Sequence, residues 1–180
     1  MNTTTVNWVR VKKTRVSIVL AKREELAELG QMAAEIWWHT YPSIITGEHI
    51  AFMLARGYSE KALAEQMEFF GQDLYFILDG EGRKVGFVGV LQGQEANESY
   101  LYVRKLYTAT SRQGEGIGRA VVGLLQAMAR AKGINKIRLN VNRKNPAYYF
   151  YLKTGFVVLR EEDIAYGPYL LEDYLMELAW

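Results

Sequence analysis

The segment Ser111-Arg112-Gln113-Gly114-Glu115-Gly116-Ile117-Gly118-Arg119 carries the residue types and spacing best suited to chemistry in this chain. Its glycines alternate at 114, 116 and 118 just ahead of a helical pattern, where the first backbone N–H groups have no internal partner. Such amides, with the helix dipole, favour an anion by roughly 0.3–1 kcal/mol, and the missing Cβ atoms let a phosphate approach the backbone. Arg112 and Arg119 are placed to add positive charge. A tight turn alone does not need glycines so closely repeated. Two familiar phosphate motifs are excluded by the spacing: Arg119 stands where G-x-G-x-x-G needs its third glycine, and no Gly-Lys-Ser/Thr follows to complete a P-loop.

The elements on either side must position this turn. Residues 100–108 read as a strand with Leu101, Val103, Lys105 and Tyr107 on one face and Tyr102, Arg104 and Leu106 on the other. From Ile117, the apolar residues Ala120, Val121, Leu124, Leu125 and Met128 recur at three- and four-residue steps, which predicts an amphipathic helix ending at Lys132-Gly133. Upstream, a strand over 16–20 leads into a helix that Pro42 stops near His39, and helices over 49–55 and 59–70 follow. A hairpin comes next, with strands over 73–78 and 84–92 around the turn 79–82, and a polar link over 93–99 leads to the strand before the glycines. Beyond the amphipathic helix come a strand over 136–142, a short helix opened by Asn145-Pro146 and closed by Gly155, and strands over 156–161 and 169–178.

Composition narrows the function. With 180 residues, 49% hydrophobic and 23% charged, the chain is expected to fold as one domain over 15–180. Residues 1–14 are polar and basic and read as an arm, in part a flexible tail. The 22 Lys and Arg against 20 Asp and Glu give a net charge of +2, too little for a dedicated nucleic-acid binder. The absence of Cys and the presence of only 2 His argue against a metal centre. No apolar run suits a membrane span or a secretory leader, so a cytoplasmic protein is expected.

Gln113, Gly116 and Gly118 resemble the Q/R-x-x-G-x-G/A signature of the GNAT superfamily of acyl-CoA-dependent N-acetyltransferases. Downstream, the run from Asn145 through Ala147, Phe150, Tyr151, Lys153 and Gly155 to Phe156 is similar to that family's N-x-A-x-x-F-Y-x-K-x-G-F segment. The order of elements matches as well. The implied fold is α/β (α+β): a central mixed, mostly antiparallel sheet flanked by helices and splayed between the strand before the glycine turn and the next strand. Lys105-Leu106-Tyr107, the run 139–143 and the ending Asp173-Tyr174-Leu175-Met176-Glu177 look like the polyamine N-acetyltransferase branch.

The resemblance implies acetyl-CoA as co-substrate and no metal. Its pyrophosphate would lie on Gln113, Gly114, Glu115, Gly116, Ile117, Gly118 and Arg119, and its pantetheine arm would pair with Leu106, Tyr107 and Thr108 like an added strand. Asn142 and Asn145 would bond the arm or the helix start, Asn145 serving equally as a plain helix cap. Tyr151 is the implied general acid that protonates the leaving thiolate, though packing on the sheet would also account for it, and Tyr148 and Tyr149 flank it. An alkyl amine with a pKa near 10.4 is only about one part in a few thousand neutral at pH 7, so a proton acceptor is required as well. Lys105 stands where many relatives carry a Glu, and Glu35, Glu161, Glu162 and Asp163 are carboxylates without an assigned geometry. Trp37 and Tyr41, in the cluster with Trp38 and His39, would face a cationic acceptor, although core packing explains tryptophans equally well. The expected partner is a small-molecule amine, with a homodimer through the C-terminal strand open. Protein N-terminal or lysine acetylation and a non-catalytic CoA-binding module are the alternatives.

Overall fold

A computed structural model describes residues 5–11 and 14–180. The strands are β1 (Thr5–Val11), β2 (Thr14–Leu20), β3 (Asp73–Asp79), β4 (Lys84–Glu95), β5 (Glu98–Thr108), β6 (Lys136–Asn142), β7 (Val157–Tyr166) and β8 (Tyr169–Ala179). They form one 8-stranded sheet in the order β1-β2-β3-β4-β5-β6-β8-β7. The helices are α1 (Leu26–Thr40), α2 (Gly47–Tyr58), α3 (Glu60–Phe69), α4 (Ile117–Ala131) and α5 (Ala147–Lys153). The expected mixed, mostly antiparallel sheet is thus present, and every pairing is antiparallel except β5 with β6.

Each face of the sheet has its own core. Ile117, Ala120, Val121, Leu124 and Leu125 of α4 are buried against Val16, Ile18, Ile77, Val88, Leu101 and Ile137. Leu26, Leu29, Ala33 and Ile36 of α1, with Leu63 of α3, pack on Leu74, Phe76 and Phe87 across the sheet. Burying each large apolar side chain stabilises the fold by about 1.5–3 kcal/mol, so the two layers clamp the middle strands firmly.

The β5–β6 pairing is short, linking only Leu101–Val103 with Ile137–Leu139, after which the two strands diverge. The expected splay lies here. Ahead of it β5 carries a bulge: Val90 pairs with Val103 and Gly89 with Lys105, leaving Arg104 as the extra residue. The bulge corrects the plain alternation read from the sequence. Leu101 and Val103 join the core under α4, whereas Tyr107 joins the core under α1 and Leu106 faces the other way. One inserted residue inverts the side-chain parity beyond it.

Three other differences concern the periphery. The polar stretch 93–99 is a continuation of β4 and β5 joined at Ala96 and Asn97, both left-handed with φ 48° and 65°, as a two-residue hairpin turn requires. Thr5–Val11, read as part of an arm, pairs antiparallel with β2; residues 1–4, 12 and 13 lie outside the described residues. The C-terminal strand β8 is paired on both sides, so it offers no free edge to a second copy, and β7 is the edge instead. Among the described residues no helix is long and apolar enough to cross a membrane.

Candidate active site

The glycine turn opens directly into α4. Gly114 and Gly116 have φ 82° and 84°, a left-handed backbone that glycine adopts without a Cβ penalty, and Gly116 is the residue before the first helical turn. The first helical hydrogen bond is that of Ala120 N–H to the Gly116 carbonyl at 3.1 Å. Among the described residues, the amides of 114–119 donate to no protein acceptor. A Cβ on Gly114 would stand in open space, so the missing side chain leaves room for a ligand. On Gly118 it would come within 2.9 Å of the Phe150 ring, so that glycine lets α5 pack against α4.

The arginines serve differently from the expectation. Arg112 donates to Asp79 at 2.9 Å and makes a two-pronged bond to Glu115 at 2.8 and 3.0 Å, so its charge is spent within the protein. Burial pushes the Asp79 carboxyl up, but bonds from Arg112 and Arg83 outweigh it and hold the group well below the usual carboxylate range. The Glu115 side chain accordingly braces the turn. Arg119 donates to the Lys153 carbonyl at 3.2 Å, tying α4 to the end of α5. Gln113 reaches back to the Thr108 carbonyl at 3.4 Å. The amides of the turn are left without protein acceptors, and the Ile117 side chain is buried in the core.

A cavity of about 1170 Å³ starts at this turn and runs along the splay. Leu106, Tyr107 and Thr108 line it, on the stretch of β5 that has parted from β6. Asn142 and Asn145 line its other bank. Asn142 accepts from the Lys144 amide at 3.0 Å and Asn145 from the Ala147 amide at 2.9 Å, so both fix the turn into α5. The second nitrogen of Asn145 also donates to Tyr41 Oη at 3.3 Å, linking that turn to α1.

Of the three candidate tyrosines only Tyr151 faces the cavity. Tyr149 is exposed, and Tyr148 packs on Tyr174 with ring centroids 5.0 Å apart. Burial pushes the Tyr151 phenol well above its ordinary pKa, so it keeps its proton at neutral pH. Across the splay, Tyr107 Oη lies 3.3 Å from both Tyr41 Oη and Tyr58 Oη, and Trp37 stacks on Tyr41 with centroids 4.2 Å apart. Trp37 and Tyr41 thus line the cavity while belonging to the core. Trp38 and His39 are exposed and lie outside it.

Several cavity residues had no site role assigned from the sequence. Lys105 is buried opposite Gly89, its Nζ 4.5 Å from the Tyr58 ring centroid, and burial, with Arg104 nearby, lowers its pKa to about 7. His49 is buried, stacked on Tyr169 at 3.9 Å, with Nε2 unpartnered. Tyr102 donates to Asn140 at 2.6 Å, and Asn140 donates to Glu162 at 2.8 Å. Asp173 is the one carboxylate among the residues lining the cavity. The carboxylates weighed from sequence are occupied or exposed: Glu161 and Asp163 pair with Arg143, Glu162 with Arg160 and Asn140, and Glu35 faces outward. A signal for Asp173 existed, since its parity along β8 matches Leu171 and the buried Leu175.

Residues 45–169 match the family model described as an acetyltransferase (GNAT) domain. The chain belongs to the GNAT family. It is an acetyl-CoA-dependent N-acetyltransferase, and the unpartnered amides and the parted strand are a frame that acetyl-CoA fits. An uncharacterized N-acetyltransferase of Mycobacterium tuberculosis is 29% identical over 152 residues, covering 83% of this chain and 94% of that protein. The spermidine N(1)-acetyltransferase of Thermoplasma acidophilum is 27% identical over 154 residues, covering 83% of this chain and 91% of that protein. Among solved structures, the PaiA N-acetyltransferase of Thermoplasma acidophilum in complex with coenzyme A superposes with a TM-score of 0.71 at 26% identity, covering 92% of this chain and 99% of that one.

Proposed function

We propose that this acetyltransferase acts on a primary amine of a small cationic molecule, of which polyamines are the leading class, by direct attack within a ternary complex. One observation carries the reading: a single cavity joins the unpartnered amides of the glycine turn to a pocket walled by Tyr41, Tyr58, Tyr102 and Asp173, with Tyr151 also on its wall. Acetyl-CoA supplies an acetyl thioester. The turn amides hold its pyrophosphate, and the free edge of β5 at Leu106–Thr108 aligns its arm. Tyr151, protonated at neutral pH, gives its proton to the departing sulfur. Direct transfer is favoured because the chain has no Cys to hold the acetyl group.

The acceptor end supports a small molecule over a protein. The β7–β8 turn reaches α2, where Phe52 meets the Tyr166 and Tyr169 rings at 5.9 and 5.2 Å and a Cβ on Gly167 would collide with Phe52. Tyr166 of this contact and His49 and Met53 of α2 line the same cavity. A spermidine acetyltransferase among the relatives supports the polyamine class. Free-thiol release from acetyl-CoA is the test, with spermidine, spermine, single amino acids and a short Lys peptide as acceptors. The reading expects turnover with the polyamines above the rest; turnover with the peptide alone overturns it.

A further inference from the structure

The family reading leaves open which group of this chain takes the acceptor's proton. Asp173 lies on β8 opposite Asn142 of β6 and Glu162 of β7, where the splayed sheet ends in the cavity. It is half-buried, and among the described residues its carboxylate makes neither a hydrogen bond nor an ion pair. That is uncommon, because a desolvated carboxylate costs free energy unless something answers its charge. Each other acidic side chain on this stretch of the sheet has a cationic or amide partner: Glu161, Glu162 and Asp163 as described above, and Glu177 with Arg138 at 2.7 Å. Asp173 alone is left for a ligand.

Its surroundings suit an ammonium. Its charge is felt by Tyr41 at the end of α1 and by Tyr102 on β5; Glu162 on β7 and Arg143 after β6 act on it in turn, and Arg104 lines the same cavity. Asp173, Tyr41 and Tyr151 line the same cavity. Aromatic faces beside a carboxylate attract a cation by both charge and quadrupole.

We propose that Asp173 binds the acceptor's ammonium and takes one proton from it, which makes cationic alkyl amines the substrates of this site. This rests on the amine-acetylation reading above. The step balances as follows: one N–H proton of the ammonium passes to the Asp173 carboxylate and then to solvent, and the nitrogen lone pair forms the C–N bond as the C–S bond breaks. Tyr151 protonates the sulfur, and the second proton lost by the nitrogen restores the phenol. Burial, with Glu162 beside it, pushes the Asp173 carboxyl up to about 6, so it is ionised at neutral pH yet a better proton acceptor than an ordinary aspartate.

The experiment measures kcat/KM for spermidine against pH from 5 to 9 in the wild type, Asp173→Asn and Asp173→Glu, together with the affinity of each for CoA. We expect Asp173→Asn to lower kcat/KM by ~10²-fold or more and to lose the acid limb near pH 6, with CoA affinity kept within a few-fold. Asp173→Glu, which retains the charge, recovers the acid limb. Wild-type turnover with an Asp173→Asn profile that superposes on it overturns this proposal and leaves the amine reading standing. A wild type that binds CoA but acetylates none of the amines tested overturns both.

Discussion

The two ends of the cavity are built by different means. At the end proposed for the cofactor the backbone is what stands open: amides of 114–119 have no protein acceptor where the chain turns from β5 into α4, and the side chains of Arg112 and Glu115 brace the turn. At the end proposed for the acceptor, side chains from the end of α1 and from α2, β5 and β8 form the wall. A backbone site depends on local conformation, which glycines announce. A side-chain site depends on register between distant strands.

This contrast predicts which substitutions break which half. Gly118→Asp, which drives bulk into Phe150 and charge into the turn, should reduce turnover to below detection at every accessible acetyl-CoA concentration. Tyr151→Phe should lower kcat by ~10²–10⁴-fold with acetyl-CoA affinity retained, and a near-normal kcat would assign the sulfur's proton to another group. Gly114→Ala is milder, since its Cβ meets nothing but the left-handed backbone costs about 1–2 kcal/mol; a few-fold loss of CoA affinity is expected. Lys105→Met should affect stability most visibly. Because burial lowers the lysine's pKa to about 7 from its unfolded value, the unfolded chain binds the extra proton between those values and wild-type stability rises with pH above 7. The variant should therefore have the higher melting temperature at pH 6, the gap narrowing towards pH 10.

How far the sequence could be read follows the same division. The α4 stripe, the glycine turn and Asn145-Pro146 ahead of α5 were all legible because each is a local pattern with a local cause. The faces of β5 were not, because the bulge at Arg104 moves Lys105 and Tyr107 to the opposite core and alternation has no means to register an inserted residue. Arg112 looked like a phosphate ligand until its partner Asp79, 33 positions earlier, came into view. Asp173 stood in the ending that resembles the polyamine branch, with nothing in the sequence to mark it as unpaired. Pairing is a property of the fold.

The most direct test of a backbone-built cofactor half and a side-chain-built acceptor half is calorimetric titration of CoA into the wild type, Gly118→Asp and Asp173→Asn under one set of conditions. The account predicts wild-type affinity in Asp173→Asn and no measurable binding in Gly118→Asp. Wild-type affinity in Gly118→Asp would contradict it.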